Sequence, residues 1–559
     1  MLTVQRPAGA KAEIERDKLR NKMKEYWSHI SHPAQLPKFI KHRAVTKIVR
    51  DRICHNMNAS RILMDQETHV QSVECSGVRN CTGNLFDIPK QDRHIVYSNW
   101  AKEYDSDVIH LSVLGKHLIV VDTLEAATDL LEKRSSVSCD RPESVMLNDL
   151  MGLSWPAGFL SYSPRVRDLR KTAQLLFNPD STKRYHGIET TAARELLQRL
   201  LKNNNTPGDN LRHMAGKTII RITYGFNIKP QNDPFIKMAE HALYGISSVC
   251  NTGSYVVDLI PILRYIPDWF PGAQFKRDAK IWRKYIADMR DVPYDLVRKA
   301  RNSETPIDYE ISSDSAAFEL LDEVLKKSAD PVYMEDIIKS SLGTFYLAGA
   351  DTTVCALITF VLAMVLYPDI QRKAQRVIDE VVGTGRLPNF EDREALAYID
   401  AILLESFRWH PVGPLNLPHS TNDDIIYNGK FIPKGSILVT NNWSILNNEQ
   451  EFPSPRTFDP ERFLDKDGKL NSKILDPTIL IFGSGRRICP GRFMAKDTMW
   501  ITMASILASL NIEKKIGSDG KPIVPDEKYM AGLISYPEPF VCDFKPRSKE
   551  HEALIEASF

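Results

Sequence analysis

The chain has 559 residues, 43% hydrophobic and 26% charged, with a net charge of +2 from 73 basic and 71 acidic side chains. These proportions belong to an ordinary folded protein. They exclude wholesale disorder, a collagen-like repeat and a disulfide scaffold, and so balanced a charge argues against a dedicated nucleic-acid binder. Eight cysteines, at 54, 75, 81, 139, 250, 355, 489 and 542, are scattered with no C-x-x-C pair, which fits free thiols in a reducing compartment. Cys75 and Cys81 are the nearest pair, and their spacing is poor for zinc.

The first fifty residues carry twelve Lys/Arg against four acids. Leu19, Met23, Trp27 and Ile30 fall on one face at helical spacing, as in a basic amphipathic helix able to lie on a membrane surface. A solvated arm or a helix packed on the main body is the plainer reading and is preferred. Residues 40–82 have little periodicity and are expected to form a poorly ordered linker. From Gly83 the pattern sharpens. VIHLSVLGKHLIVVDT (108–123) reads as two strands joined at Gly115, and 123–134 as an amphipathic helix with Leu124, Ala127, Leu130 and Leu131 on one face. Helices are expected over 165–177, 186–203, 208–224, 276–302, 315–327, 333–366 and 368–382, and short strands near 425–440. The apolar stretch 354–367 falls short of the roughly 18 residues a membrane span needs, so a buried core helix is expected. No unit repeats at solenoid length. The N-x-S/T triplets at Asn58, Asn204 and Asn442 read as chance matches. The fold class expected is mainly α with a small β-sheet region (α+β). One large domain would span 83–548, preceded by the atypical basic segment 1–82 and followed by a tail, 549–559.

The most informative segment is FGSGRRICPG (482–491). Pro490 and Gly491 follow Cys489 and lead into an amphipathic run, which places the cysteine at a helix N-terminus. There, free N–H groups and the helix dipole would lower a thiol pKa. Gly483, Gly485 and Gly491 let the backbone turn tightly and approach a flat ligand, and Arg487 offers a planar fork for a carboxylate. The pattern F-x-x-G-x-R-x-C-x-G, met by Phe482, Gly485, Arg487, Cys489 and Gly491, resembles the haem-ligand loop of the cytochrome P450 family, in its fungal-type, class II form.

Three further segments fit the resemblance in the expected order. AGADTT (348–353) lies inside the long helix, where a threonine can bond back to a carbonyl and loosen the turn. The resemblance makes Asp351 and Thr352 the acid–alcohol pair that relays protons to iron-bound dioxygen. Glu405 and Arg408, at i, i+3 in an apolar helix, with Arg462 of FDPERF (458–463), resemble the family's buried structural triad. SPRVRDLRKTAQLLFNP (163–179) is similar to the family's propionate-binding helix, with Arg170 in the arginine position but Val166 in place of the tryptophan. Arg165, Arg167 and Lys171 are candidates to compensate. His419 stands where related enzymes set another propionate ligand.

The resemblance implies a cytochrome P450 fold over about 83–545 and a haem b cofactor with Cys489 as thiolate ligand. The activity it implies is insertion of one oxygen atom from O2 into a hydrophobic small molecule, a secondary metabolite or an aromatic, polycyclic or terpenoid compound. Pocket segments by family position are 145–160, 240–270, Phe345 and Ala348, Val412 to Leu417, and Leu533 to Ser535. The glycines of VVGTGRLP (381–388) follow a helix and make no dinucleotide site. Electrons would therefore come from NADPH through an NADPH-cytochrome P450 reductase, docked near Arg486, Arg487, Arg492 and Lys496. The family setting is the cytosolic face of the endoplasmic reticulum membrane. No apolar anchor is visible in this chain, so a cytoplasmic or peripheral placement stands beside it. The competing readings are a non-catalytic haem-binding sensor or decayed enzyme, and an O2-independent haem-thiolate isomerase.

Overall fold

A computed structural model of the chain describes residues 83–558 apart from 85–86, 203–205, 251–254 and 303–308. The expected helix through Leu19 to Ile30, the linker 40–82, the Cys75–Cys81 pair, Asn58 and Asn204 lie outside the described residues.

Strands β1 (Val108–Val113) and β2 (Lys116–Val121) pair antiparallel. They turn through Leu114 and Gly115, at φ 50° and 78°, the doubly positive geometry that suits the twist of a two-residue hairpin. The pair extends into a four-stranded sheet in the order β1–β2–β6–β3, where β3 is His419–Ser420 and β6 is Ile437–Thr440. Strand β6 runs parallel to β2, with Leu118 opposite Ile437, and antiparallel to β3, with Leu438 opposite His419. Two small hairpins complete the strands: β4 (Ile425–Tyr427) with β5 (Lys430–Ile432), and β7 (Leu510–Lys514) with β8 (Cys542–Pro546).

The rest is helical. Helix α1 is Arg93–Glu103, and α2 is Leu124–Ala127, continued as a π-helix through Thr128–Lys133. Helix α3 (Pro164–Phe177) starts on a Ser163 cap with proline in its first turn and buries Val166, Leu169, Ala173 and Leu176. Helices α4 (His186–Lys202), α5 (Pro207–Tyr224), α6 (Pro234–Val249) and α7 (Gln274–Arg301) follow. A Thr206–Asp209 capping box opens α5, and Gly225 at φ 82° closes it, the left-handed position that suits glycine. The helix expected over 315–327 is a short turn, Ala316–Glu319, and a π-helix, Leu320–Leu325.

The long helix expected over 333–366 is two: α8 (Pro331–Gly349) and α9 (Thr352–Leu366), parted at Ala350–Asp351. By length and composition the 36-residue run Pro331–Leu366 could cross a membrane, yet 78% of its most apolar stretch is buried inside the protein. It is the central core helix. Helices α10 (Pro368–Val381), α11 (Ala397–Trp409) and α12 (Arg492–Ser509) pack around α9 through Phe360, Ile402, Trp500 and Ile506. Each such fully buried side chain contributes about 1.5–3 kcal/mol of apolar burial. A second core joins α3, α5, α6, α7 and α8. The last residues, expected as a tail, instead form α13 (Lys549–Glu556), capped by Ser548 and docked through a fully buried Ile555.

Candidate active site

The cysteine loop is shaped by two backbone contacts. The Cys489 N–H donates to the Phe482 carbonyl at 2.7 Å, and Gly485 adopts φ 54° so close to the end of α2 that a Cβ would sit 2.5 Å from the Leu131 carbonyl oxygen. At Gly491 a Cβ would meet nothing within 4 Å. Gly485 therefore serves backbone packing, while Gly491 borders open space beside the sulfur. Cys489 lies three positions before the start of α12 at Arg492. Contrary to the expectation of a lowered pKa, burial pushes the Cys489 thiol up; the Gly491 N–H, Arg170 and Arg492 oppose it without winning. A sulfur so desolvated ionises when it gains a cation, and a bound metal deprotonates a thiol outright.

Helix α3 ties this loop to the central helix. Arg170 donates to the Ile488 carbonyl at 2.9 Å. Arg165 reaches the other way, to Asp336 at 2.5 Å and Ser340 at 3.0 Å on α8. Lys171 is exposed and pairs with Asp168 at 3.2 Å, and Arg167 is exposed. None of the three candidates offered to compensate for Val166 hydrogen-bonds to the cysteine loop among the described residues, and Val166 itself is fully buried. Arg487 spends its fork on three backbone carbonyls, those of Cys139, Ala157 and Leu160, at 2.6, 2.9 and 2.7 Å.

Arg141 joins this cluster, and sequence reasoning missed it. It donates to the carbonyls of Gly158, Leu417 and Pro418 at 2.9, 2.7 and 2.7 Å. Burial, with Arg487 and Arg170 alongside, pushes its pKa down to about 9. Among the described residues none of Arg141, Arg170 and Arg487 has an acidic partner within ion-pair distance. Three neighbouring guanidiniums without an anion are costly to bury, so the set calls for negative groups. The two propionates of a haem have that chemistry, and the residues present fit the cofactor. His419 is buried, with Nδ1 2.9 Å from the Ser138 carbonyl. Burial and the positive charge of Arg141 hold its imidazole well below its ordinary pKa, against a rise from the Ser138 carbonyl. Nδ1 facing a carbonyl assigns the proton to that nitrogen, which leaves Nε2 an acceptor until an anion draws a second proton onto the ring.

Between Ile337 and Val365 the central helix is mostly buried; Ala348 and Thr352 are its two exposed residues, and Lys339, Thr344, Gly349 and Ile358 are partly so. Exposure at i and i+4 in the middle of a buried helix means that a hollow runs beside it. The Thr352 hydroxyl donates to the Ala348 carbonyl at 2.9 Å, and the helix is broken in the same turn. Gly349, by contrast, is a packing glycine, since a Cβ there would lie 2.8 Å from Ile219. Asp351 is buried, and its carboxylate accepts a very short hydrogen bond from the Tyr536 hydroxyl. The same hydroxyl lies 3.0 Å from the Asp351 carbonyl. Burial pushes the Asp351 carboxyl up, opposed by Tyr536 and by nearby Arg212. Tyr536 was not singled out from the sequence.

Glu405 and Arg408 have side chains with no solvent exposure. They pair through two hydrogen bonds, at 2.6 and 2.8 Å. Arg462 Nε lies 3.3 Å from Glu405, and the Asp459 N–H donates to it at 2.8 Å. The expected pocket segments meet in part: Cys250, Leu415 and Leu533 line one small hollow with Leu118 and Val439. Ser535 does not line it, because its hydroxyl is turned to His410 at 3.0 Å and to the Met530 carbonyl at 3.0 Å.

A family model described as cytochrome P450 matches residues 77–542. Cytochrome P450 monooxygenase 98 of Postia placenta is 40% identical over 475 residues, 85% of this chain and 90% of that protein. Tryptamine 4-monooxygenase of Psilocybe cyanescens is 36% identical, over 84% of this chain and 91% of that protein. Cytochrome P450 monooxygenase ple1 of Rhodocybe pseudopiperita is 36% identical, over 85% and 89% respectively. A half-buried cysteine on a glycine loop, an unpaired arginine cluster and an opened turn in the central helix agree with these matches: the chain belongs to the cytochrome P450 family and is a haem-thiolate monooxygenase.

Proposed function

We propose that Cys489 ligates the haem iron and that Asp351 and Thr352 manage proton delivery during oxygenation of a hydrophobic small molecule. Arg141, Arg170, Arg487 and His419 would hold the propionates, and Glu405, Arg408 and Arg462 the fold behind them. Bound there, the haem supplies the redox chemistry, in which dioxygen and two electrons yield one oxygen atom to substrate and one to water. The chain's own part is to keep the site dry and to place protons. The opened turn at Ala350–Asp351 is the observation that carries this reading. It presents the Thr352 hydroxyl to the hollow while burial keeps the neighbouring carboxyl protonated to higher pH than an ordinary acid. These properties suit a proton relay near neutrality.

Support for a hydrophobic substrate is the group Leu118, Leu415, Val439 and Leu533 around one small hollow, which Arg93, Tyr97 and Asn416 also line. One relative carries tryptamine, an aromatic amine, in its name. Electrons would come from NADPH through a flavoprotein reductase at the face near the cysteine loop. Arg486 is exposed there and Arg492 and Lys496 partly so, whereas Arg487 is taken up by carbonyls and does not serve docking. A membrane-bound reductase would place the enzyme at the cytosolic face of the endoplasmic reticulum.

The test is turnover with reductase, NADPH and a panel of aromatic and terpenoid compounds. Oxygen-dependent product is expected, and in Thr352→Ala product per NADPH should fall by about 100-fold or more while peroxide rises, within the 10²–10⁴ worth of positioned proton transfer. NADPH consumption indifferent to every compound would favour the sensor or decayed-enzyme reading. Product formation without O2 would favour the isomerase.

A further inference from the structure

We propose that His186, Glu189 and Asp497 form a second metal site, separate from the haem, that takes a divalent cation of the zinc class. His186 and Glu189 share the first turn of α4 at i, i+3, and Asp497 faces them from α12. Ligand atoms of the three lie within 4.8 Å of one another. His186 Nε2 and Asp497 Oδ2 are 3.4 Å apart, long for a charge-assisted hydrogen bond. Two ligands on one tetrahedral zinc, with bonds of about 2.0–2.1 Å, lie about 3.3–3.4 Å apart.

The second observation is Glu189 itself. It is 1% exposed, and its Oε2 is buried with no hydrogen-bond partner. A buried carboxyl oxygen with no hydrogen-bond partner is costly whether or not it carries a proton, and a cation bound in place of that proton removes the cost. The surroundings already orient the set. The Thr498 hydroxyl donates to Glu189 Oε1 at 2.7 Å, and Arg393 holds Asp497 Oδ1 at 2.7 Å while anchored on Asp400 at 2.8 Å. The His186 ring is stacked on Phe390 with centroids 3.6 Å apart. Each carboxyl thus has one oxygen held by an outer partner, while Glu189 Oε2 has no partner and Asp497 Oδ2 faces His186, the arrangement in which outer partners fix metal ligands. Two acids and a histidine suit zinc better than magnesium or calcium, which prefer all-oxygen sets. His186 and Asp497 keep 28% and 17% side-chain exposure, so an ion has a way in. It would join α4 to the helix that follows the cysteine loop.

The test uses the haem-loaded full chain, stripped with chelator and titrated with zinc chloride by calorimetry. Zinc and iron are then counted after gel filtration. About one zinc per haem iron is expected, with a rise in Tm. Zinc affinity should fall 10- to 100-fold or more in His186→Gln and in Glu189→Gln, with the Tm gain lost. His186→Gln changes a part-exposed residue, and an intact reduced-CO spectrum certifies its fold. The His110–His117 pair, 3.0 Å apart, is the competing site, and His110→Ala should leave uptake unchanged. Zinc well below one per iron, or uptake and Tm gain preserved in both His186→Gln and Glu189→Gln, would overturn the proposal.

Discussion

Replacing Arg408 by alanine isolates the energetics of the buried triad. The change removes two hydrogen bonds to Glu405 and leaves its carboxylate, fully out of water, with only the Arg462 contact at 3.3 Å and the Asp459 N–H at 2.8 Å. It also strips donors from the carbonyls of Leu446 and Thr457, at 3.1 and 3.4 Å. Breaking one partner out of a buried pair costs about 3–5 kcal/mol. With an unfolding entropy of about 2.1 cal/mol/K per residue over a folded body of roughly 470 residues, each kcal/mol moves Tm by about 1 °C, so a fall of about 3–5 °C is expected. Haem per protein should fall with it. The triple variant Glu405→Leu/Arg408→Met/Arg462→Met removes all three charges and should recover much of the loss, since an apolar set avoids the desolvation that a lone buried charge suffers. Thermal scans with haem quantitation read both quantities. A haem-replete Arg408→Ala protein melting with the parent, or a triple variant less stable than Arg408→Ala alone, would refute the burial argument.

Cys489→Ala should abolish turnover and the red-shifted reduced-CO Soret band, while Cys355→Ala, whose thiol only touches the Ser535 carbonyl at 3.3 Å, should keep both. Tyr536→Phe removes the hydroxyl that holds Asp351; the expected result is a displaced pH–rate profile with haem content unchanged, and an unaltered profile would deny Tyr536 a positioning role. Burial raises Asp122 from 3.8 to about 6 against hydrogen bonds from Ser444 and Asn441. Between those values the folded chain keeps a proton that the unfolded chain has lost, so stability falls as pH rises from 3.8 to about 6 and is level above. Asp122→Asn should flatten that slope and raise stability at neutral pH by up to about 3 kcal/mol, at 1.36 kcal/mol per pKa unit, as read by melting at a series of pH values.

The chemistry-bearing residues that could be read in advance all sit in local patterns. The cysteine loop has its glycines at fixed offsets, Glu405 and Arg408 share a helix face, and Asp351 and Thr352 interrupt an apolar run. Arg141 could not be read this way. It lies in an irregular stretch before Pro142, and its importance arises only when the chain brings Arg170 and Arg487 beside it. Tyr536 is likewise one tyrosine in a proline-rich loop until the fold sets it on Asp351. Cys489 shows the limit of a local argument, because helix-end electrostatics point one way and burial, a property of the whole fold, points the other. Helix α13 was signalled by Ser548 and by Glu550 and Glu552 in its first turn. At eight residues, however, it is too short to be stable without the core that receives Ile555.

The loop from Leu533 to Tyr536 has one end in the apolar hollow and the other on a carboxylate. Only two residues separate them, and Ser535 between them is held by His410 and the Met530 carbonyl, so a guest that displaces Leu533 would reach the phenol that clasps Asp351 by shifting that anchor. On the proposed function, guest size and acid supply would be linked through that anchor. Compounds of different girth should shift the pH–rate curve of the parent enzyme differently, and do so less once Tyr536 is phenylalanine.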